Sequence, residues 1–328
     1  MIARVTSQLK LRSAHKLEES HYKGVRSLSY STTRSWIEYQ SYVLAERNPI
    51  FRDETLLVYF GKELIGIIPL SVHGDEELRV LSAFGKPIEV FLKESAIAGE
   101  LPIYGSIVPA LQELVDFYDT SKPFLLMTLE AADKAAIEDR WLKSSVQWNR
   151  LICNLNIPED VLFLTLRNSY RALIRKFSKI VEIEISNSST AAMQMEILRR
   201  LHFEAAGRAT RSDKSWKYQL ESILNNEGFV ILGKLEGTYI GGSFINISNK
   251  DAYYSVGAYS REMQQKKFPV AHVLIWEAIK VSKSAGLQKF CMGEFAGSGL
   301  TSKEKSIILF KKGFATEEQN LEMIEVGK

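Results

Sequence analysis

Only two cysteines, Cys153 and Cys291, occur in the 328 residues. That is too few for a disulfide framework and, without companions at ligand spacing, too few for a zinc site, so a reducing compartment is the expectation. No uncharged apolar run approaches the ~18 residues that span a bilayer. The opening stretch, MIARVTSQLKLRSAHKLEESHYKG, alternates charge with short apolar runs and offers no signal-peptide core. A cytoplasmic location is predicted, with no transmembrane segment and at most peripheral membrane contact. Excess charge is also scarce. Forty-two Lys and Arg against 39 Asp and Glu leave +3, too little for a protein that coats DNA or an anionic membrane, so any basic site must be local. No P-loop, Rossmann glycine fingerprint, HExxH or Gly-x-Ser-x-Gly motif occurs. Kinase, dehydrogenase, zinc-protease and ordinary serine-hydrolase readings therefore have no foothold.

What is present is the composition of a globular protein, 45% apolar, 25% charged and 10% aromatic, at about twice the length of an average domain. In the first half, Ser35 to Ala45 reads as a helix with Ser35 as N-cap. Leu56 to Phe60, Leu64 to Val72, Val80 to Phe84 and Phe124 to Leu129 read as strands, the first two joined by a Gly61-Lys62 turn. The second half repeats the grammar. A helix over Ala191 to Ala206 precedes strands Phe229 to Lys234, Tyr239 to Ile247 and Ala252 to Tyr259, with turns at Glu236-Gly237 and Asn249-Lys250-Asp251. A helix follows, with Pro269 in its first turn and Gly286 at its end, leading into a strand from Lys289. The expected class is α/β of the mixed α+β kind, in two domains over 1–160 and 161–328, with no Pro/Gly/Ser-rich linker between them.

The connecting segment Arg167 to Lys179 places Tyr170, Leu173, Ile174 and Phe177 on one helical face and Arg167, Arg171, Arg175 and Lys179 on another. Like charges at this spacing repel. The ridge is either a solvated face or a surface for an anionic partner.

Five segments in order, LRNSYRALIRKFSK, LHFEAAGRATRSDKSW, GFVILGKLEGTYIGGSFI, FPVAHVLIWEAIKVSKSAGL running into KFCMGE, and ILFKKGFA, resemble the FemAB-like branch of the GNAT acyltransferase superfamily over about residues 160 to 320. The resemblance implies tandem GNAT-like domains, each a central, mostly antiparallel sheet flanked by helices. It also implies transfer of an acyl or aminoacyl group to an amino group of a cell-envelope precursor, a peptidoglycan unit or amino sugar, which is small or lipid-linked. The implied donor is aminoacyl-tRNA or acyl-CoA, with no tightly bound cofactor. Two departures stand out. Gln265-Lys266-Lys267-Phe268-Pro269-Val270 lacks the glycines of an acetyl-CoA pyrophosphate loop, and residues 180 to 200 leave no room for the long helical arm of some members.

Acyl transfer to an amine needs a neutral amine, a polarised carbonyl and a proton acceptor. His272, in the first turn of its helix, is a candidate neutral acceptor, the alternative being a His that packs or caps that turn. Glu294 at a strand end is a candidate base or amine anchor. Tyr254 is a candidate hydroxyl donor, with Tyr253 and Tyr259 expected on one face of their strand and Tyr254 on the other. Arg208 and Arg211, among small residues, could share one phosphate or carboxylate, with His202 and Trp216 beside them as further substrate-binding candidates. The alternative for this stretch is a helix-to-helix turn facing water, with Trp216 in the core. Lys266 and Lys267 are the cofactor-binding candidates, as point charges for CoA. Lys303, Lys305, Lys311 and Lys312 surround what reads as the last strand, and the resemblance places Lys311 near a substrate groove. A non-catalytic GNAT-like module that binds an anionic glycan, nucleotide-sugar or RNA is the alternative function.

Overall fold

The computed structural model describes residues 2–4, 9–14, 21, 33–93, 103–120, 122–128, 137, 140, 142–248 and 250–326. Leu129 and Asn249, at the end of an expected strand and the start of an expected turn, lie outside the described residues. The chain divides into two compact units. One comprises Met1–Leu28, Ile37–Trp148 and Asn320–Lys328, and the other Ser29–Trp36 and Asn149–Gln319. Each unit has its own buried apolar clusters.

The first unit contains β1 (Ile2–Arg4), β2 (Leu9–Ser13), most of α1 (Arg34–Arg47), β3 (Ile50–Asp53), β4 (Leu56–Phe60), β5 (Glu63–Ile68), β6 (Ser71–Gly74), β7 (Arg79–Ser82), β8 (Phe91–Leu92), α2 (Ile103–Tyr118) and β9 (Phe124–Thr128). β4 and β5 form the expected hairpin within a five-stranded sheet of order β1-β2-β4-β5-β8, and β3-β6-β7 form a separate sheet. The run from Leu64 to Val72 is two strands rather than one, because Pro69 has no N–H to give a ladder. Val58, Ile68, Leu70, Val72, Ile107 and Leu111 are fully buried in this unit's core. Each such side chain contributes about 1.5–3 kcal/mol through removal from water. The N-cap of α1 is not Ser35: the Trp36 amide donates to Thr33 Oγ1, and Ser35 is one residue inside the helix.

β10 (Leu142–Asn154) begins in the first unit and ends in the second. The second unit continues with α3 (Glu159–Thr165), α4 (Asn168–Phe177), β11 (Glu182–Ile185), α5 (Ala191–Ala206), α6 (Asp213–Leu224), β12 (Gly228–Leu235), β13 (Thr238–Ile247), β14 (Asp251–Tyr259), α7 (Arg261–Gln265), α8 (Val270–Ser284), β15 (Lys289–Ala296) and α9 (Ser302–Lys312), then the start of β16 (Glu317–Val326). Its sheet has the order β11-β12-β13-β14-β15-β10. β12, β13 and β14 are an antiparallel meander, and α8 is the crossover that makes β15 parallel to β14. Glu236 and Gly237, with φ of 50° and 76°, supply the two positive φ values that suit a tight hairpin. Alternate residues of β12 bury on opposite faces. Ile231 joins Leu274, Phe290 and Phe314 in one cluster, while Val230 and Leu232 join Leu198 and Phe244 in the other.

One element differs in kind from its expectation. The segment around Ile307 to Phe310 is not a strand but part of α9. Thr301 and Glu304 form a capping box at its start, in which each side chain satisfies a backbone N–H of the other's neighbourhood.

Candidate functional site

β14 and β15 are in register at only three positions, Asp251 with Lys289, Ala252 with Phe290 and Tyr253 with Cys291. Both strands run on, to Tyr259 and Ala296, and past Tyr253 and Cys291 they part. The cause lies on the other edge of β14. Val256 stands opposite Phe244 and Tyr254 opposite Ile245, so Ser255 is an extra residue, and a bulge of this kind bends its strand and increases its twist. The bulge also reverses the expected alternation. Tyr254 and Tyr259 point to the same side, their hydroxyls 2.8 Å apart, and Tyr259 reaches Ser243 at 3.1 Å. Burial pushes both phenols up. The hydroxyl of Tyr254 is thus engaged in a buried network, and its ring is what faces the lysine described next.

Lys311, in the last turn of α9, enters this opening. Its Nζ lies 5.4 Å from the centre of the Tyr254 ring. Gly293, at φ +123°, leaves the space that Lys311 fills, since a Cβ there would lie 2.8 Å from Nζ. Burial lowers the pKa of the ammonium, with Cys291 acting weakly against the shift. Among the described residues no carboxylate forms an ion pair with Lys311. A partly desolvated cation with no carboxylate partner among the described residues, at a gap between two strands, is suited to an anion or a developing oxyanion. Glu294 follows Gly293 within β15, two residues before the strand ends. Arg150 donates to its Oε1 from Nε at 2.8 Å and from Nη2 at 2.7 Å, which fixes the carboxylate beside the opening.

His272 lies in an aromatic box rather than in the opening. Tyr170 stands edge-on at 4.3 Å and Phe310 at 5.1 Å, and Nδ1 is buried without a hydrogen-bond partner. Burial, reinforced by the Arg167 charge, brings its pKa down to about 4, so it is neutral at pH 7. At the start of α8, Pro269 has no N–H to give, the Val270 amide donates to Phe268 O, and the His272 and Val273 amides donate to Pro269 O. Few backbone donors are left for a pyrophosphate. Lys266 pairs with Glu262 at 2.6 Å on the surface, and Lys267 takes a left-handed φ of 55° in the same turn.

The remaining candidates gather where α5 meets α6. Gly207 caps α5 in the left-handed region, and Ser212 caps α6 by accepting the Ser215 amide, so the segment between is a helix-to-helix turn. Arg208 is exposed. Arg211 lies over the Trp216 ring at 5.6 Å, and His202 stands against that ring at 5.3 Å. Trp216 is 6% exposed and belongs to the core between these helices and the sheet. His202 is held below its usual pKa by burial and by Arg211. On the ridge, Arg171 is bound to Asn168, while Arg175 covers Phe163 at 5.0 Å and lines a surface cavity of about 580 Å³ with Glu159, Asp160 and Trp276.

Sequence reasoning missed Arg150, whose partner is 144 positions away and leaves no local signal. It also missed that Lys311 lies on a helix. The Thr301-x-x-Glu304 spacing ahead of an apolar run was the available sign.

No family model and no curated protein matches this chain. Its fold, however, matches solved structures. The crystal structure of FemX superposes with a TM-score of 0.67 at 12% identity, over 96% of this chain and 97% of that one. This chain has the fold of FemX. The C-terminal domain (DUF2156) of a putative lysylphosphatidylglycerol synthetase from Agrobacterium fabrum follows at TM-score 0.58 and 12% identity, over 89% and 91% of the two chains. L-PGS from Bacillus licheniformis gives 0.51 at 13%, over 80% and 81%. At these identities the likeness is one of fold. It agrees with the mixed α+β fold that the resemblance to FemAB-like proteins implies. No helix among the described residues is long and apolar enough to cross a membrane.

Proposed function

We propose that this protein is an acyltransferase that moves an acyl or aminoacyl group onto an amine of a cell-envelope precursor, and that the opening between β14 and β15 is where transfer occurs. The observation that carries this reading is Lys311, a partly buried ammonium over Gly293 with no carboxylate partner among the described residues. The donor carbonyl sits in the opening with its oxygen toward Nζ. The neutral acceptor amine attacks, a C–N bond forms, and the oxygen becomes an oxyanion that Lys311 stabilises more than it stabilises the ground state. The intermediate collapses with loss of the carrier's oxygen or sulfur, which leaves with the proton given up by the amine. Glu294, fixed by Arg150, is placed to hold the incoming amine. The fold shared with FemX and with a lysylphosphatidylglycerol synthetase domain supports an acyl-transfer reading.

The donor is a proposal of its own. The engaged amides at the start of α8 favour an aminoacyl ester such as charged tRNA over acyl-CoA, because they give a pyrophosphate little to bind. The test is to offer the purified protein charged tRNA and a set of acyl-CoAs, each with a peptidoglycan or amino-sugar precursor, and to follow donor consumption. Acceptor-dependent consumption of aminoacyl-tRNA is expected. Tight, saturable acetyl-CoA binding, abolished by charge reversal at Lys266 and Lys267, would refute the donor assignment. Failure of every donor and acceptor pair would refute the transferase reading.

A further inference from the structure

The last four carbonyls of a helix have no partner within it, and α9 has no buried residue. Ile308 and Phe310 pack, partly buried, against the core, and polar contacts add to this at the turn that carries Lys311. That turn is held by Arg167, the N-cap of α4, and by Tyr170 in its first turn. Arg167 Nη2 donates to Leu309 O at 2.7 Å, the Tyr170 hydroxyl donates to Phe310 O at 3.2 Å, and the Arg167 amide donates to Gly313 O at 2.9 Å. The two side chains are joined to each other, since Arg167 Nη1 donates to the Tyr170 oxygen at 3.1 Å and the guanidinium lies 5.0 Å from the ring centre. The Tyr170 ring is wedged among His272, Phe310 and Phe314, with centroids 4.3, 5.8 and 5.0 Å away. A Cβ at Gly313 would overlap that ring. The guanidinium also places positive charge at the negative end of the α9 dipole.

We propose that Arg167 and Tyr170 are positioning residues that fasten the C-terminal turn of α9 and thereby hold Lys311 Nζ in the opening over Gly293. The inference rests on the role given to Lys311 above and adds the device that places it. It also gives Arg167, the first member of the cationic ridge, a use: it serves helix carbonyls rather than a ligand.

The test reads Lys311 directly and needs no substrate. The intact protein is acylated with acetic anhydride across a pH series, and modification of Lys311 is followed by peptide mass spectrometry. The groups that face it are Tyr253 and Tyr254 of β14 and Gly293 and Cys291 of β15. Because burial lowers the Lys311 midpoint, release from the opening raises it. In the double variant Arg167→Gln, Tyr170→Phe the midpoint is expected to rise by about one pH unit, while that of Lys266 stays where it was. Turnover should fall at least tenfold with little change in acceptor KM, and Arg167→Lys should recover part of it. If the double variant does not fold, Tyr170→Phe alone, which keeps the ring, is judged by the same criterion with a smaller shift. An unmoved Lys311 midpoint in a folded variant would overturn the inference whatever the activity. A moved midpoint together with a fully active Lys311→Met would uphold the clamp and defeat the catalytic role of the lysine.

Discussion

Two glycines, one in each unit, show how differently the same residue serves a sheet. At Gly66 in β5 the missing side chain lets the neighbouring strand approach. An added Cβ would meet the Phe91 carbonyl at 2.7 Å and the Leu92 side chain at 2.8 Å, and the two strands are in register there. At Gly293 in β15 the missing side chain admits a lysine ammonium instead, beyond the point where register with β14 has ended. One glycine closes a strand pair and the other leaves one open for a charge. In the first case the neighbour is backbone, and the contact belongs to stability. In the second it is the end of a lysine side chain that no carboxylate pairs with among the described residues, and on the function proposed above the contact serves chemistry.

Breaking the second arrangement should have the largest effect. Gly293→Ala sets a Cβ 2.8 Å from the present position of Nζ and at a φ that side chains rarely adopt, so turnover is expected to fall about 100-fold, a loss of about 2.7 kcal/mol in transition-state stabilisation. Steady-state kinetics on the folded variant check this, and wild-type turnover would show that Lys311 has room to spare. Gly66→Ala should leave turnover untouched while costing about 1–3 kcal/mol of stability, read from urea unfolding, because backbone must move to make room. Glu294→Gln removes a charge but keeps the shape and takes one carboxylate partner from Arg150. The pair is 19% and 14% exposed, and a stability loss of about 1–2 kcal/mol is expected, with an additional rise in acceptor KM if the carboxylate holds the amine. The last effect concerns pH. His272 is held down to about 4 when folded and titrates near 6.5 when unfolded, so the unfolded chain binds the extra proton between those values. Stability from this group is complete above about pH 6.5 and is lost as pH falls toward 4. Tm should therefore decline over that window, and His272→Phe should flatten the decline.

Where local chemistry decides structure, the chain was legible. Gly286 lies at φ +78° just after α8, α5 spans Ala191–Ala206 as its pattern implied, and the Glu236-Gly237 hairpin follows from two residues that accept positive φ. The strand, helix, strand crossover was likewise readable from the order of periodic segments. The site was less so. Strict alternation put Tyr254 and Tyr259 on opposite faces, and one extra residue at Ser255 reversed this without any mark in the local sequence. The ion pair of Arg150 with Glu294 and the hold of Arg167 on Leu309 O join positions 144 and 142 residues apart, which periodicity cannot reach. His272 is neutral as expected, and burial among aromatics is what makes it so. The four lysines around Ile307 to Phe310 were visible, but their roles depended on recognising a helix, since only then does Lys311 fall in a turn held by α4.

The proposed chemistry depends on Lys311. The most direct measurement is the turnover of Lys311→Met beside that of Lys266→Met, each with the aminoacyl donor and envelope acceptor that the wild-type protein consumes. Loss of about 100-fold or more in kcat for Lys311→Met, with the surface variant unchanged, is the predicted result. Equal turnover in the two variants would contradict it.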